Sequence, residues 1–223
     1  MKLYAFNSCP FSVRVIALLG LKNIPCEITY ITVGDFPKHL QQQLTGTTVP
    51  VLEDPANGIL LQDSADIIRY LDSLNGHPLL QDHNPGEVIT CWLSNMKPNT
   101  ALLCYPRMQE MNLPELATTQ ARVHFNNMIS DRLGMPLPQA LALTGDILPH
   151  VNQQLQELLA IIDVPAYLQN RRPVSIDDLC AFAELRNLTM VETLCFPELI
   201  SAYLHKMAEA TGIHLFSGNR PPG

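Results

Sequence analysis

The sequence predicts two regions of different fold class, an α/β region over residues 1–76 and an all-helical region over residues 87–223. Strand and helix patterns alternate in the first region, whereas the second carries apolar residues at helical spacing only. Residues 77–86, between them, are rich in turn-forming residues and are predicted to be a linker. A chain of 223 residues is long enough for two compact domains with sizeable cores.

The α/β region contains seven predicted elements, recognised from alternating strands, apolar residues at helical spacing and turn clusters. Their order, β-α-β-α-β-β-α, is the thioredoxin-type layout, in which helices flank a small sheet. The fourth strand follows a strong turn cluster at residues 54–58, so we expect it to run antiparallel to the third. The strands are predicted at residues 2–6, 26–31, 49–52 and 59–61, and the helices at residues 10–20, 36–44 and 63–76.

The first strand leads directly into Cys9 at the start of a helix. Pro10 suits a first helical position, because it has no N–H to lose and its φ is already helical. Cys9 is therefore expected at the N-cap or just before it, where free backbone N–H groups and the helix dipole favour an anion. Ser, Thr, Asp or Asn would be a better plain cap. The sequence thus predicts an activated cysteine, since the thiolate is the reactive form.

Two weaker features accompany Cys9. Pro50 lies just before a strand, where a cis Val49–Pro50 bond would leave the Val49 N–H and C=O free to pair with an extended peptide ligand. Asp63 and Ser64 begin a helix and offer a carboxylate, a hydroxyl and free N–H groups to an α-amino and α-carboxylate pair. An ordinary trans proline and a plain N-cap are the respective alternatives.

Composition argues against several classes of partner. The net charge of −7 disfavours nucleic acid, which calls for a basic surface. No apolar run approaches the roughly 18 residues of a membrane helix, and no secretory signal is visible, so we expect a cytoplasmic protein without a membrane partner. No cysteine–histidine cluster has zinc spacing, so no metal site is expected. The other five cysteines are expected to be free and buried: Cys26, Cys91, Cys104, Cys180 and Cys195.

The helical region shows one distinct capping motif. Ser175 and Asp178 have the spacing of a capping box, which we interpret as a folding element and not as a site. The last residues, 221–223, are expected to form a frayed tail. Apolar residues at helical spacing occur at residues 92–96, 123–133, 151–162 and 176–193.

Three motifs in this order resemble the glutathione-binding thioredoxin fold of glutaredoxins and glutathione transferases. They are Cys9-Pro10-Phe11-Ser12, Thr48-Val49-Pro50 and Asp63-Ser64. The nearest likeness is to the large bacterial glutaredoxin 2 family, which joins a glutaredoxin domain to a helical, transferase-like domain. The segments at residues 20–25, 78–80 and 185–189 also look like that family. The resemblance implies a glutathione transferase-like two-domain architecture.

The resemblance also implies a role for each site residue. Cys9 would be the nucleophile that exchanges disulfides with glutathione, the only cofactor expected. Val49 would pair its backbone with the cysteinyl part of glutathione, the cis proline Pro50 would shape that groove, and Asp63 and Ser64 would hold the γ-glutamyl end. Many members of the family have Glu where this chain has Asp63.

The residue at position 12 decides the form of the expected mechanism. Many members of the family have a second cysteine there, but Ser12 cannot form a resolving disulfide, and its hydroxyl could instead hydrogen-bond the thiolate. We therefore expect a glutathione-dependent thiol–disulfide oxidoreductase that acts by a single-cysteine mechanism on glutathione mixed disulfides. Its partners would be glutathione and glutathionylated or disulfide substrates, and we expect a monomer.

Two alternatives share the same motifs. A cysteine-type glutathione transferase or dehydroascorbate reductase would use the same cysteine on a small electrophile or on oxidised ascorbate. A non-enzymatic module would hold an iron–sulfur cluster between two subunits through Cys9 and glutathione. Pro10 argues against this second alternative, because single-cysteine glutaredoxins that bind clusters have glycine there.

Overall fold

The α/β region forms one four-stranded sheet in the structure, a computed structural model that describes residues 1–216. The predicted tail at residues 221–223 lies outside the described residues. The observed order confirms the predicted β-α-β-α-β-β-α layout. Its elements are β1 (Lys2–Ala5), α1 (Pro10–Leu21), β2 (Glu27–Tyr30), α2 (Lys38–Gln41), β3 (Val51–Asp54), β4 (Ile59–Leu61) and α3 (Ser64–Ser73).

The strands lie in the order β2-β1-β3-β4. Strand β1 pairs parallel with β2 and antiparallel with β3, and β4 pairs antiparallel with β3, as the turn cluster predicted. Leu3, Leu52 and Leu18 of α1 are fully buried in the core of this region. Because β1 and β3 are antiparallel neighbours, the segments before β3 and after β1 come to the same end of the sheet.

The second region is helical, as predicted, so the two-region fold class is confirmed. The spacing of apolar residues located parts of four helices but gave no separate signal for α6, α8 or α10. Helix α4 also continues through Pro98 and Pro106, residues that normally interrupt a helix. The helices are α4 (Glu87–Met108), α5 (Thr119–Leu133), α6 (Leu137–Ala142), α7 (Thr144–Ile161), α8 (Val164–Leu168), α9 (Ile176–Leu188) and α10 (Glu198–Thr211).

Helix α1 joins the two regions, since it packs against α9 and α10 as well as against α3. Gly20 allows a very close approach to α10. A Cβ atom added at this glycine would lie 2.0 Å from the carbonyl oxygen of Thr211, so any side chain there would force the helices apart. The C-terminal end of α1 is therefore packed tightly against α10 of the helical region.

A buried carboxylate organises the segment between α3 and α4. Asp72 is fully buried and accepts the N–H groups of Leu79 (2.8 Å) and Leu80 (3.0 Å), while Lys22 and His83 also contact it. Burial alone would raise the pKa of Asp72, but these bonds outweigh it and hold the pKa below its usual value. Helix α4 begins at Glu87. The domain division at residues 76 and 86 itself stays a prediction.

The capping box at Ser175 and Asp178 is confirmed at the start of α9. The Ser175 N–H donates to the carboxylate of fully buried Asp178 at 2.8 Å, and Arg172 donates to both oxygens of that carboxylate at 2.7 and 2.8 Å. These bonds fix the N-terminus of the helix that packs against α1. None of the helices within residues 1–216 is both long and apolar enough to cross a membrane.

Candidate functional site

Cys9 is the N-cap residue of α1, as the sequence predicted. Its backbone is extended (φ −78°, ψ 117°), its carbonyl accepts the N–H of Val13 at 2.9 Å, and Pro10 follows in the first turn. The Cys9 side chain makes no capping hydrogen bond to the helix. The sulfur is therefore not used to satisfy the helix end and stays available for chemistry.

The structure brings Cys9 and Val49 together. The Cys9 thiol donates to the carbonyl oxygen of Val49 at an Sγ–O distance of 3.9 Å, although the two residues are 40 positions apart. The Val49–Pro50 peptide bond is cis, as predicted, and Pro50 is buried. Among the described residues, no backbone carbonyl accepts the Val49 N–H. The peptide groups of Val49 thus lie beside the thiol with hydrogen-bonding capacity to spare.

Gln62 connects this turn to the start of α3. Its side-chain amide donates to the carbonyl oxygens of Gly46 (2.9 Å) and Thr48 (3.1 Å) and to the Thr48 hydroxyl (3.1 Å). Nothing in the sequence pattern indicated this role for Gln62. Because Asp63 is the next residue, the same side chain sets the distance between the cis-proline turn and the N-terminus of α3.

Asp63 caps α3 through one of its two carboxylate oxygens, so the plain-cap alternative is correct for that oxygen. Oδ1 accepts the N–H groups of Ala65 (2.8 Å) and Asp66 (3.3 Å), and the residue is exposed. Ser64 is buried, with 8% of its surface exposed. The structure thus brings Cys9 and Val49 into contact, whereas it relates Asp63 and Ser64 to them only through Gln62.

Ser12 is fully buried one turn into α1. Its hydroxyl oxygen accepts the N–H of Phe6 at 3.4 Å. The sequence suggested instead that this hydroxyl could bond the Cys9 thiolate, and no such contact is present among the described residues. Ser12 therefore connects the end of β1 to α1 through its buried hydroxyl.

The other cysteines differ from the expectation that all five are buried. All are free, as predicted, but Cys91 and Cys195 are exposed and Cys26 is half-buried. Cys91 lies on the solvent side of α4, whose buried face carries Ile89, Trp92 and Met96, so apolar sequence neighbours did not bury it. Burial raises the pKa of Cys180 to about 11 and raises that of Cys104 further, so the thiolate form of both side chains is disfavoured.

Three side chains of the helical region reach the loop before Cys9. Glu115 accepts the N–H groups of Asn7 and Ser8, Arg186 donates to the Asn7 carbonyl oxygen, and Asn187 donates to the Ser8 carbonyl oxygen. In the sequence, residues 186 and 187 were part of a family likeness without an assigned role, and Glu115 carried no signal. The described residues contain no group of three side chains placed to hold a metal ion.

Comparison with known proteins identifies the family. Residues 88–219 match the model of the domain described as Glutaredoxin 2, C terminal domain, which covers more than half of the chain. This chain belongs to the glutaredoxin 2 family. Residues 3–79 match the domain described as Glutathione S-transferase, N-terminal domain, so both regions have counterparts. The predicted family and its transferase-like two-domain architecture are thereby confirmed.

Individual relatives agree with this assignment. Glutaredoxin 2 of Escherichia coli strain K12 is 29% identical over 217 residues, which are 97% of this chain and 98% of that protein. The crystal structure of glutaredoxin 2 from Salmonella typhimurium in complex with glutathione superimposes with a TM-score of 0.85 at 30% identity, covering 96% of this chain and 95% of that one. Glutathione S-transferase omega-1 of Sus scrofa is 32% identical over 83 residues, 37% of this chain and 34% of that protein.

Proposed function

We propose that this glutaredoxin 2 family member is a glutathione-dependent thiol–disulfide oxidoreductase that uses Cys9 as its only redox cysteine. The proposal is carried by one observation: the Cys9 sulfur lies at the N-cap of α1, 3.9 Å from the carbonyl oxygen of Val49, at the cis-proline turn. Family membership supports it, and so does the Salmonella relative, whose structure was determined with glutathione. The substrates are mixed disulfides between glutathione and another thiol.

The reaction needs two thiol–disulfide exchanges. The Cys9 thiolate attacks the glutathione sulfur of the mixed disulfide, a Cys9–glutathione bond forms, and the substrate thiolate leaves and takes up a proton. The thiolate of a second glutathione then attacks the glutathione sulfur of that bond, which releases glutathione disulfide and regenerates the Cys9 thiolate. Overall, the mixed disulfide and one reduced glutathione give the free substrate thiol and glutathione disulfide, so the incoming glutathione is the reductant. Ser12 takes no part, since its hydroxyl is buried against Phe6.

Glutathione binding is assigned to the residues around the cysteine. The Val49 N–H and C=O groups would pair with the peptide groups of the cysteinyl residue, next to buried Pro50, and place the glutathione sulfur beside Cys9. Asp63 uses Oδ1 as a cap, so Oδ2 would accept the α-amino group of the γ-glutamyl residue. The hydroxyl and the backbone N–H of buried Ser64, which the Asp63 cap does not use, would receive its carboxylate.

A substrate panel tests the proposal. The purified protein is assayed with glutathione and, in turn, a glutathionylated peptide, dehydroascorbate and a chlorinated aromatic compound, and the intermediate is trapped by acid and digested for mass spectrometry. We expect turnover to be fastest on the glutathionylated peptide, with the glutathione adduct on Cys9. An adduct on exposed Cys91 or Cys195, or no turnover of any mixed disulfide, would contradict the proposal.

A cysteine-type transferase is the second candidate, because the partial likeness to the omega-1 glutathione transferase of the pig points that way. The same panel separates the two activities. Faster turnover of dehydroascorbate or of the chlorinated aromatic compound than of the glutathionylated peptide would favour the transferase or dehydroascorbate reductase. Monomeric state and cytoplasmic location remain predictions from the sequence.

A further inference from the structure

The loop before Cys9, formed by Asn7 and Ser8 and called here the pre-cysteine loop, is held from one side by a buried carboxylate. Glu115 lies in a short turn between α4 and α5 and is only 2% exposed. It accepts the Asn7 N–H (3.1 Å), the Ser8 N–H (2.8 Å) and the Ser8 hydroxyl (2.7 Å). Three donors of the loop are thus satisfied by one side chain more than 100 positions away in sequence.

The carbonyl groups of the loop are held by α9. Arg186, 4% exposed, donates to the carbonyl oxygen and to the side-chain oxygen of Asn7, both at 2.7 Å, and Asn187 donates to the Ser8 carbonyl at 2.8 Å. Two further contacts fix the Arg186 guanidinium. Its Nε donates to the His214 carbonyl oxygen at 2.8 Å, and its Cζ lies 3.9 Å from the centre of the Phe216 ring.

The two charged side chains act on the same peptide groups. Glu115 and Arg186 form no direct ion pair within the described residues; the pre-cysteine loop lies between them and bonds to both. Burial lowers the pKa of Arg186 to about 10, opposed by the nearby Tyr30 and Glu115, so the guanidinium is still charged at neutral pH. Removing either charge leaves the other buried without its counterpart, which is costly.

We propose that Glu115 and Arg186 are positioning residues for the Cys9 thiol. They fix both peptide groups of the pre-cysteine loop, and a bond from the Cys9 N–H to the Phe6 carbonyl oxygen (3.3 Å) closes the turn that these groups form. The direction in which Cys9 leaves the loop, and hence its distance from Val49, is set by the helical region. A displacement of about 1 Å at a reacting atom can cost roughly a hundredfold in rate. This inference rests on the proposed function, since it assigns how the same thiol is placed.

Two variants of buried carboxylates separate positioning from simple packing. Glu115→Gln removes the charge and one acceptor oxygen from the pre-cysteine loop. Glu184→Gln is the matched control, because Glu184 is also buried in the helical region, 8% exposed, but makes no hydrogen bond to Asn7 or Ser8. Four quantities are measured for each: kcat and KM for glutathione with a glutathionylated peptide, the rate of Cys9 alkylation by iodoacetamide, and amide hydrogen exchange at residues 7 and 8.

We expect Glu115→Gln to lower kcat by roughly tenfold to a hundredfold while KM for glutathione changes less than about twofold. Alkylation of Cys9 should change less than about threefold, because a small reagent approaches the thiolate from any direction. The amides of Asn7 and Ser8 should exchange faster in this variant only, and Glu184→Gln should retain wild-type kcat and exchange. Arg186→Lys should reproduce the loss of kcat, and the double variant with Glu115→Gln should lose less than the product of the two single effects, because both act through one loop.

The inference is overturned if Glu115→Gln and Glu184→Gln have the same kcat. It is also overturned if Glu115→Gln impairs KM and the rate of Cys9 alkylation as strongly as it lowers kcat. If Glu115→Gln does not fold, Ser8→Ala removes only the hydroxyl bond to Glu115, and an unchanged kcat in that variant likewise overturns it. Failure of the proposed function is distinct, because the wild-type protein would then show no turnover. Amide exchange at residues 7 and 8 would still decide whether Glu115 holds the loop.

Discussion

The two ends of the candidate glutathione site are built in opposite ways. At the thiol end, the residues that hold the pre-cysteine loop are buried and come from the helical region, with Arg186 lying 179 positions from Asn7. At the α3 end, Asp63 is exposed and its bonds are local, to Ala65 and Asp66. The comparison indicates that long-range contacts are concentrated beside the proposed nucleophile Cys9, whereas the proposed ligand contact Asp63 is held by short-range geometry.

The largest expected effect tests the thiol end. Cys9→Ser should reduce turnover of glutathionylated peptide by at least about a thousandfold, because a hydroxyl does not ionise at neutral pH and cannot exchange disulfides. Cys91→Ser and Cys195→Ser are matched controls, since both thiols are exposed but neither lies at a helix N-cap, and both variants should keep wild-type turnover. A Cys9→Ser variant with more than a tenth of the wild-type rate would show that another thiol carries the reaction.

The next prediction adds a second thiol to the same end. Ser12→Cys should form an intramolecular disulfide with Cys9, because an N-cap residue and the residue three positions later lie on one face of the helix. On oxidation the variant should lose the mass of two hydrogen atoms, and its reduced dithiol form should gain reduction of protein disulfides. The double variant Cys9→Ser with Ser12→Cys should show neither change. Ser12 is fully buried, so absence of the mass change would mean that the inward direction of position 12 is retained by the thiol.

A smaller effect is expected at the α3 end. Asp63→Ala should weaken glutathione binding by roughly tenfold and also destabilise the protein by about 1 kcal/mol, because the side chain would be a ligand and is a cap. Asp63→Ser separates the two roles. Because serine still caps α3, the melting temperature should return to the wild-type value while glutathione binding stays weak. Asp66→Ala, an exposed acid in the same turn, is the control and should bind glutathione normally.

Titration calorimetry beside a melting curve measures both consequences of the Asp63 variants. If Asp63→Ser binds glutathione as tightly as the wild type, Asp63 is a cap only and the assignment of the γ-glutamyl group to it is wrong. In either case alkylation of Cys9 should be unchanged, because the bonds that hold the pre-cysteine loop come from the helical region and not from α3.

The smallest expected effect is a change in melting temperature, and it distinguishes the two buried carboxylates of the helical region, Glu184 and Glu115. Burial raises the pKa of Glu184 against the opposing influence of Thr100, Arg14 and Lys97, so the folded protein disfavours its ionised form. Stability therefore falls as pH rises from the unfolded value of about 4.3 through the raised folded value. Glu184→Gln should remove this fall and raise the melting temperature near pH 7 by about 2–4 °C, whereas Glu115→Gln should lower it. Equal pH profiles of the melting temperature for wild type and Glu184→Gln would contradict this assignment.

Much of the fold was predictable because its signals are local. Alternation in β1, Pro10 after Cys9, the turn cluster before β4 and the box at Ser175 each depend on neighbours within a few positions, and each was found in place. The full length of a helix could not be predicted where residues that usually interrupt helices lie inside it. Pro98 and Pro106 are accommodated inside α4, which hides its length from a pattern based on breakers.

In the candidate site, only the features that depend on neighbouring residues in the sequence were predictable. Cys9 at the N-cap follows from a short motif, whereas the motif at Pro50 left a trans bond open and the cis bond was implied by the family resemblance. Both features are observed. The orientation of Ser12 depends on where β1 ends, and the exposure of Cys91 depends on which face of α4 is covered, so neither follows from composition. The bonds of Glu115 to the loop exist only after two distant regions pack, and no sequence window contains both partners.

The contact between Arg186 and Asn7 also has a consequence for synthesis of the protein. Cys9 emerges early from the ribosome, but Arg186 is made 179 residues after Asn7, or roughly 10–35 s later at ~5–20 residues per second. The His214 carbonyl group and the Phe216 ring that steady the guanidinium follow later still. In a nascent chain Cys9 is therefore present well before the loop beside it can make its contacts with the helical region.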